Sequence, residues 1–161
     1  LKEDLEVKIV LGNHDGDLET LLSPKVKLFK KELIESFSFG KITFTHGHTR
    51  ISEEALKSDY IIMGHHHFTF KFPNTNRREP VWVFARINKR KLFSLEKEDP
   101  IIIILPAFNQ MLLGYCINCE KREEKELNPL FREGIIDKRR SKIFSLDGIY
   151  IRSLVNLAYL S

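Results

Sequence analysis

The chain has 161 residues, 42% of them hydrophobic and 30% charged, with a formal net charge of +4. That length fits one domain with a real core, and the apolar and β-branched content excludes a disordered chain. The mild positive charge suits an anionic substrate without by itself implying a nucleic-acid partner.

Leu1, not Met, comes first, and a strand-like run follows almost at once. This reads as the C-terminal portion of a single domain, here numbered 1–161. No signal peptide is visible. The longest uninterrupted apolar run, Ile101 to Phe108, contains a proline and is far too short to span a bilayer. A soluble, cytoplasmic protein with no membrane partner is expected; nothing in the residues indicates an oligomeric state.

In chain order, Val7 to Leu11 is a short β-branched run that predicts a buried strand. It leads into the turn-rich Gly12-Asn13-His14-Asp15-Gly16. Val26 to Phe29 and Phe37 to Phe39 show strand-like alternation. Lys41 to Thr45 predicts another strand, followed at once by His46-Gly47-His48. Ser52 to Leu56 predicts a short helix, with Ser52 as N-cap and Glu53 and Glu54 in the first turn. Asp59 to Met63 predicts a buried strand that ends in Gly64-His65-His66-His67. Val81 to Ile87, Ile101 to Leu105 and Ile149 to Leu154 are further strand candidates. Pro73 to Pro80 reads as a polar loop, Lys121 to Glu126 as a solvated charge run, and Asp147-Gly148 as a tight turn. Cys116 and Cys119 form a lone C-x-x-C pair. A structural zinc site needs a second pair, so two reduced thiols in a loop or strand end are expected.

Three times an apolar strand ends in a polar cluster: Asn13 with His14, His46 with His48, His65 with His67. A single histidine at a strand end is more often a hydrogen-bonded surface residue than a ligand. Loops beyond the C-termini of strands in an open α/β sheet converge on one crevice, however. Neutral imidazoles bind borderline divalent cations, and an amide oxygen can complete such a site. In H-x-H the alternation of side chains lets both imidazoles reach the same side.

Asn13-His14 in GNHD, His46 in THGH, and His65 with His67 in GHHH resemble the last three motifs of the calcineurin-like metallophosphoesterase superfamily, in order and approximate spacing. Pro106-Ala107-Phe108-Asn109, Leu112-Leu113-Gly114, Asn128-Pro129-Leu130-Phe131 and Leu146-Asp147-Gly148 are similar to its archaeal SbcD-related branch. The resemblance implies an α/β fold: a phosphoesterase β-sandwich of two mixed sheets flanked by helices, here without its N-terminal strands and helices. It implies two divalent metal ions, Mn first, with Fe, Zn, Mg or Co as alternatives. Asn13, His46 and His65 would bind one ion and His67 the other. His14 would face the phosphate and protonate the leaving oxygen, oriented by Asp15. His48 and Arg50 would lie on the substrate side, with His66 a spacer.

The family also uses an Asp-x-His motif and a Gly-Asp motif upstream of GNHD, and neither stands among residues 1–11. The bridging carboxylate would be missing, so this chain alone is expected to be inactive and marginally stable. In a complete site two ions roughly 3.5–4 Å apart clamp the phosphate. The expected activity is hydrolysis of a phosphodiester or phosphomonoester, with nucleotides and nucleic acid among the substrates admitted and a DNA-repair nuclease among the roles.

Two other readings stay open. One is a non-catalytic fragment or scaffold module. The other is a nucleic-acid binder using Arg77-Arg78, Lys89-Arg90-Lys91 and Lys138-Arg139-Arg140.

Overall fold

The structure, a computed structural model, describes residues 5–73, 75, 77–88, 99–109, 111–112, 114–119 and 127–155. The predicted Lys89-Arg90-Lys91 patch and the charge run Lys121 to Glu126 lie outside them, as do Asp4 and Leu113.

The protein is mixed α/β and mostly sheet. Its strands are β1 (Val7–Val10), β2 (Val26–Phe29), β3 (Glu32–Phe37), β4 (Gly40–Thr45), β5 (Tyr60–Met63), β6 (Thr69–Lys71), β7 (Arg78–Pro80), β8 (Trp82–Arg86), β9 (Ile101–Ile104), β10 (Lys142–Phe144) and β11 (Tyr150–Ser153). Three single-turn helices join them: α1 (Leu18–Leu21), α2 (Glu53–Leu56) and α3 (Pro129–Arg132). Seven strands form one sheet in the order β11-β10-β8-β9-β5-β4-β3. At its centre β4, β5 and β9 run parallel, and the outer pairings are antiparallel. β1 and β2 form a separate parallel pair, and β6 and β7 an antiparallel one.

The registers place side chains in rows across one face of the large sheet. Thr45, Met63, Ile104, Val83 and Ile143 make one row; Thr43, Ile61, Ile102 and Ala85 make the next. All nine are buried. Phe68, Phe70, Val81, Ile117, Leu130, Ile135 and Ile136 belong to the same core. Burying such aliphatic side chains contributes roughly 1.5–3 kcal/mol each. The two threonines retain partners inside: Thr43 Oγ1 meets Ser58 Oγ at 2.7 Å, and Thr45 donates to the Lys31 carbonyl. On the opposite face Tyr60, Ile62, Ile101 and Ile103 are only half-buried. Among the described residues no helix is long and apolar enough to cross a membrane.

Most predicted strands appear within a residue of their expected limits, and Ser52 caps α2 by accepting from the Ala55 amide at 3.1 Å. Four local expectations change. β1, expected to be buried, is exposed at Val7 and Lys8 and half-buried at Ile9 and Val10. Phe37 ends β3, and Ser38-Phe39 is the turn of the β3–β4 hairpin, closed by Gly40 at φ 141°, with the rings of Phe37 and Phe39 stacked 5.5 Å apart. Part of the Pro73 to Pro80 loop is β7, whose Arg78 donates to Thr69 Oγ1 at 3.0 Å and to the Gly114 carbonyl at 2.7 Å. Cys116 and Cys119 are joined in a disulfide, not reduced, because the turn at Ile117-Asn118 brings their Cα atoms to 5.4 Å.

Candidate metal centre

Three loops leave the C-terminal ends of β1, β4 and β5, the last two strands parallel neighbours. The first is fastened to β2 where Leu11 donates to the Phe29 carbonyl at 2.8 Å. It closes on itself, with the Gly12 amide donating to Asp15 Oδ2 at 2.7 Å. Asp15 is thus engaged with its own turn, and Asn13 and His14 stand exposed at the tip. The backbone at Gly12 lies on the His46 ring: a Cβ there would come within 2.9 Å of His46 Cε1 and Nδ1.

The second loop turns at Gly47 (φ 101°), and the Gly64 amide donates to the His46 carbonyl at 3.1 Å, tying it to the third. In the third loop His65 (φ 66°) and His67 (φ 46°) both adopt left-handed backbone. No other non-glycine among the described residues has a positive φ. Such a conformation costs roughly 1–2 kcal/mol per residue and persists where the surroundings impose it, commonly at functional sites.

These loops bring three donor atoms together. His46 Nε2 lies 3.0 Å from Asn13 Oδ1 and 3.2 Å from His65 Nδ1. The His48 ring is 5.3 Å from that of His46 and 6.1 Å from that of His65. The His48 Nδ1 atom is buried without a hydrogen-bond partner among the described residues. His46 is held to a pKa of about 4, chiefly by burial and then by neighbouring His65 and His48, with Asp15 pulling the other way. It is therefore a neutral imidazole at pH 7, the form that ligates metal.

The donor set fits one cation. One proton on His46 Nε2 can satisfy Asn13 Oδ1 or meet the His65 nitrogen, but not both. Separations of 3.0 and 3.2 Å match those between adjacent ligands held at about 2.1 Å from a common ion. The set is two imidazoles and an amide: among the described residues no three His, Cys, Asp or Glu side chains form a group able to hold a metal. His67, the residue expected for a second ion, stands on the same loop, and its charge is felt at His46.

Two of the arginines singled out from the residues make contacts within the chain. Arg50 is exposed and pairs with Glu133. Arg78 is half-buried and spends its guanidinium on Thr69 and Gly114, inside the fold rather than toward a nucleic acid. Lys138, Arg139 and Arg140 are exposed.

What holds the loops in register lies far along the chain from them. His66, expected as a spacer, is buried; its Nδ1 donates to the Gly64 carbonyl and its Nε2 accepts from the Asn128 amide at 3.0 Å. Asn128, 1% exposed, donates through Nδ2 to the carbonyls of Gly47 (2.6 Å) and Thr49 (3.0 Å). Its Oδ1 accepts from Leu130 and so caps α3. One residue thus joins both histidine loops and a helix start, through its backbone amide to the third loop and its side chain to the second loop and α3. The only sequence signal was Asn128-Pro129, a helix-initiating pair. Residues 114–119 clasp the third loop from outside, where the Tyr115 amide donates to the His66 carbonyl and the amides of Thr69 and Ile117 interlock.

Compared with known proteins, the chain matches no family model, no curated sequence and no solved structure.

Proposed function

We propose that the cluster of Asn13, His46 and His65 is a divalent-cation site of a metal-dependent phosphoesterase of the calcineurin-like kind. The observation that carries this is the convergence of Asn13 Oδ1, His46 Nε2 and His65 Nδ1 from three chain segments, with more lone pairs than protons between them. The left-handed backbone at His65 and His67 supports it, because such strain gathers at functional sites. The parallel β1–β2 pair beside a larger mixed sheet supports reading the fold as the two-sheet sandwich of that family.

Bound metal, with Mn²⁺ the first choice for this mixed O and N set, would supply Lewis acidity and an activated water. The chain's own residues do the rest. Asn13 and His46 hold the phosphate side of the site in place from two loops. His14, exposed in the turn that carries Asn13, is free to hydrogen-bond a phosphoryl oxygen and to protonate the departing alkoxide at its oxygen. Asp15 keeps that turn closed through the Gly12 amide.

A scaffold reading has one observation in its favour: among the described residues no group of three or more His, Cys, Asp or Glu side chains is arranged to hold a metal. The two separate in one experiment on the complete gene product, with Mn²⁺ uptake measured by calorimetry and hydrolysis by a phosphodiester reporter. An enzyme binds Mn²⁺ at least tenfold more weakly after His46→Ala, and after His14→Ala it keeps its metal but loses hydrolysis. Absence of saturable Mn²⁺ uptake by the unaltered protein would overturn the proposal and leave the scaffold.

A further inference from the structure

We infer that the opposite end of the large sheet carries a second anion site, for a small ligand bearing two or more phosphate groups. A cavity of about 640 Å³ opens there, with Ile87 and Ile136 at its base, Asn88 at its wall and the turn of Lys138, Arg139 and Arg140 along its rim. The volume is that of a nucleotide-sized binding cleft. β8 runs antiparallel to β9, pairing Arg86 with Ile101 and Val83 with Ile104. Ile104 is level with Met63, which precedes the histidine loop, so the end of β8 lies at the other edge of the sheet. At about 3.3 Å per residue, the cavity and the histidines stand at least a strand's length apart, on the order of 10 Å or more.

The rim turn is anchored by several hydrogen bonds to the sheet. Asp137 donates its amide to the Arg86 carbonyl at 2.7 Å, and its Oδ1 accepts from the amides of Arg139 (3.0 Å) and Arg140 (3.3 Å). Ser141 Oγ donates to the Asp137 carbonyl and accepts from the Arg86 amide. The Ile87–Ile136 bridge and the Asn88 amide on the Ile135 carbonyl complete the attachment. Arg140 faces the buried Asp99 carboxylate at 3.8 Å. Lys138 and Arg139 have no ion-pair partner among the described residues, and both are exposed. Among the described residues Asp137 is the one carboxylate that lines the cavity, with one oxygen held by the turn's own amides. A planar guanidinium fork and an ammonium on one turn beside a concave base match the several acceptor oxygens of a phosphate chain.

The test is calorimetric titration of the complete protein with sodium pyrophosphate and with ATP, both in EDTA, so the histidine cluster takes no part. One saturable site is expected, weakened at least tenfold in the Lys138→Gln/Arg139→Gln double variant and unchanged in His46→Ala. Arg140 is left in place so that Asp99 keeps its partner. Equal affinity in the double variant, no saturable uptake by the unaltered protein, or a matching loss in His46→Ala would each overturn the assignment. So would a single-stranded oligonucleotide that binds at the turn and is not displaced by pyrophosphate, since the surface would then read a polymer backbone. Because the readout is binding without metal, this proposal and the phosphoesterase reading fail separately.

Discussion

Gly114 lies against His67 with no space for a side chain: a Cβ on residue 114 would fall 2.2 Å from the His67 carbonyl oxygen and 2.3 Å from its Cβ. Backbone cannot give way as a side-chain tip can, so Gly114→Ala must displace either the clasp or the histidine loop. The expected cost is about 1–3 kcal/mol, as for overpacking elsewhere. A urea midpoint that does not move would refute the contact.

Left-handed backbone at His65 implies an unusual pairing of effects. His65→Gly relieves the conformational strain while adding chain entropy to the unfolded state, two terms of about 1 kcal/mol and opposite sign. Stability should therefore stay within about 1 kcal/mol, whereas Mn²⁺ affinity should drop at least tenfold. Thermal melts and calorimetry on the same variant check both halves; a large loss of stability with unchanged metal uptake would reverse the assignment.

Asn128→Ala removes the donor to two buried carbonyls and the cap of α3 together. With about 1–3 kcal/mol for each buried group left unsatisfied and about 1 for the cap, the loss should reach about 3 kcal/mol or more. Asn128→Asp should not rescue it, because a carboxylate would face the Gly47 and Thr49 carbonyls. Chemical denaturation of the two variants distinguishes this from a merely local role, in which the Asp variant would recover.

The fold should weaken in mild acid. Burial, with neighbouring His65 adding to it and the Gly64 carbonyl opposing, holds His66 at a pKa of about 3, against 6.5 in the unfolded chain. The unfolded chain thus takes up a proton that the folded one refuses. This stability is fully present above pH 6.5 and is lost as pH falls from 6.5 toward 3, by up to about 1.4 kcal/mol per pH unit. His46, at about 4, acts with the same sign over a narrower range. A urea midpoint lower at pH 5 than at pH 7 is expected; an equal or higher one at pH 5 would show that these imidazoles are not buried neutral.

What could be read from the residues was mostly what local pattern controls. β-branched runs at Val26–Phe29, Lys41–Thr45 and Ile101–Ile104 marked strands because alternation and burial agree there. Ser52 marked its helix because a cap is a contact within one turn. The meeting of Asn13, His46 and His65 was legible from three strand ends that repeat one pattern. β3 escaped notice because Glu32 and Glu35 break up its apolar run, one on each face; Glu32 serves Ser52 and Glu35 serves Lys8. The roles of His66 and Asn128 depend on partners 62 residues apart in the chain, and no local pattern encodes that. The disulfide likewise follows from a turn geometry that C-x-x-C alone leaves undetermined.

The parallel pairing of β4, β5 and β9 has a consequence for how the protein comes to be folded. Such strands cannot meet through a tight turn: the chain must travel from Thr45 to Tyr60, and again from Met63 to Ile101, before their edges join. Contacts of that span form slowly and late. The imidazoles of His46 and His65 are neighbours only after β4 has found β5, so a divalent ion meets no ready-made cradle in the nascent chain. It would act as a latch on a finished molecule, slowing its opening while leaving the speed of its assembly untouched.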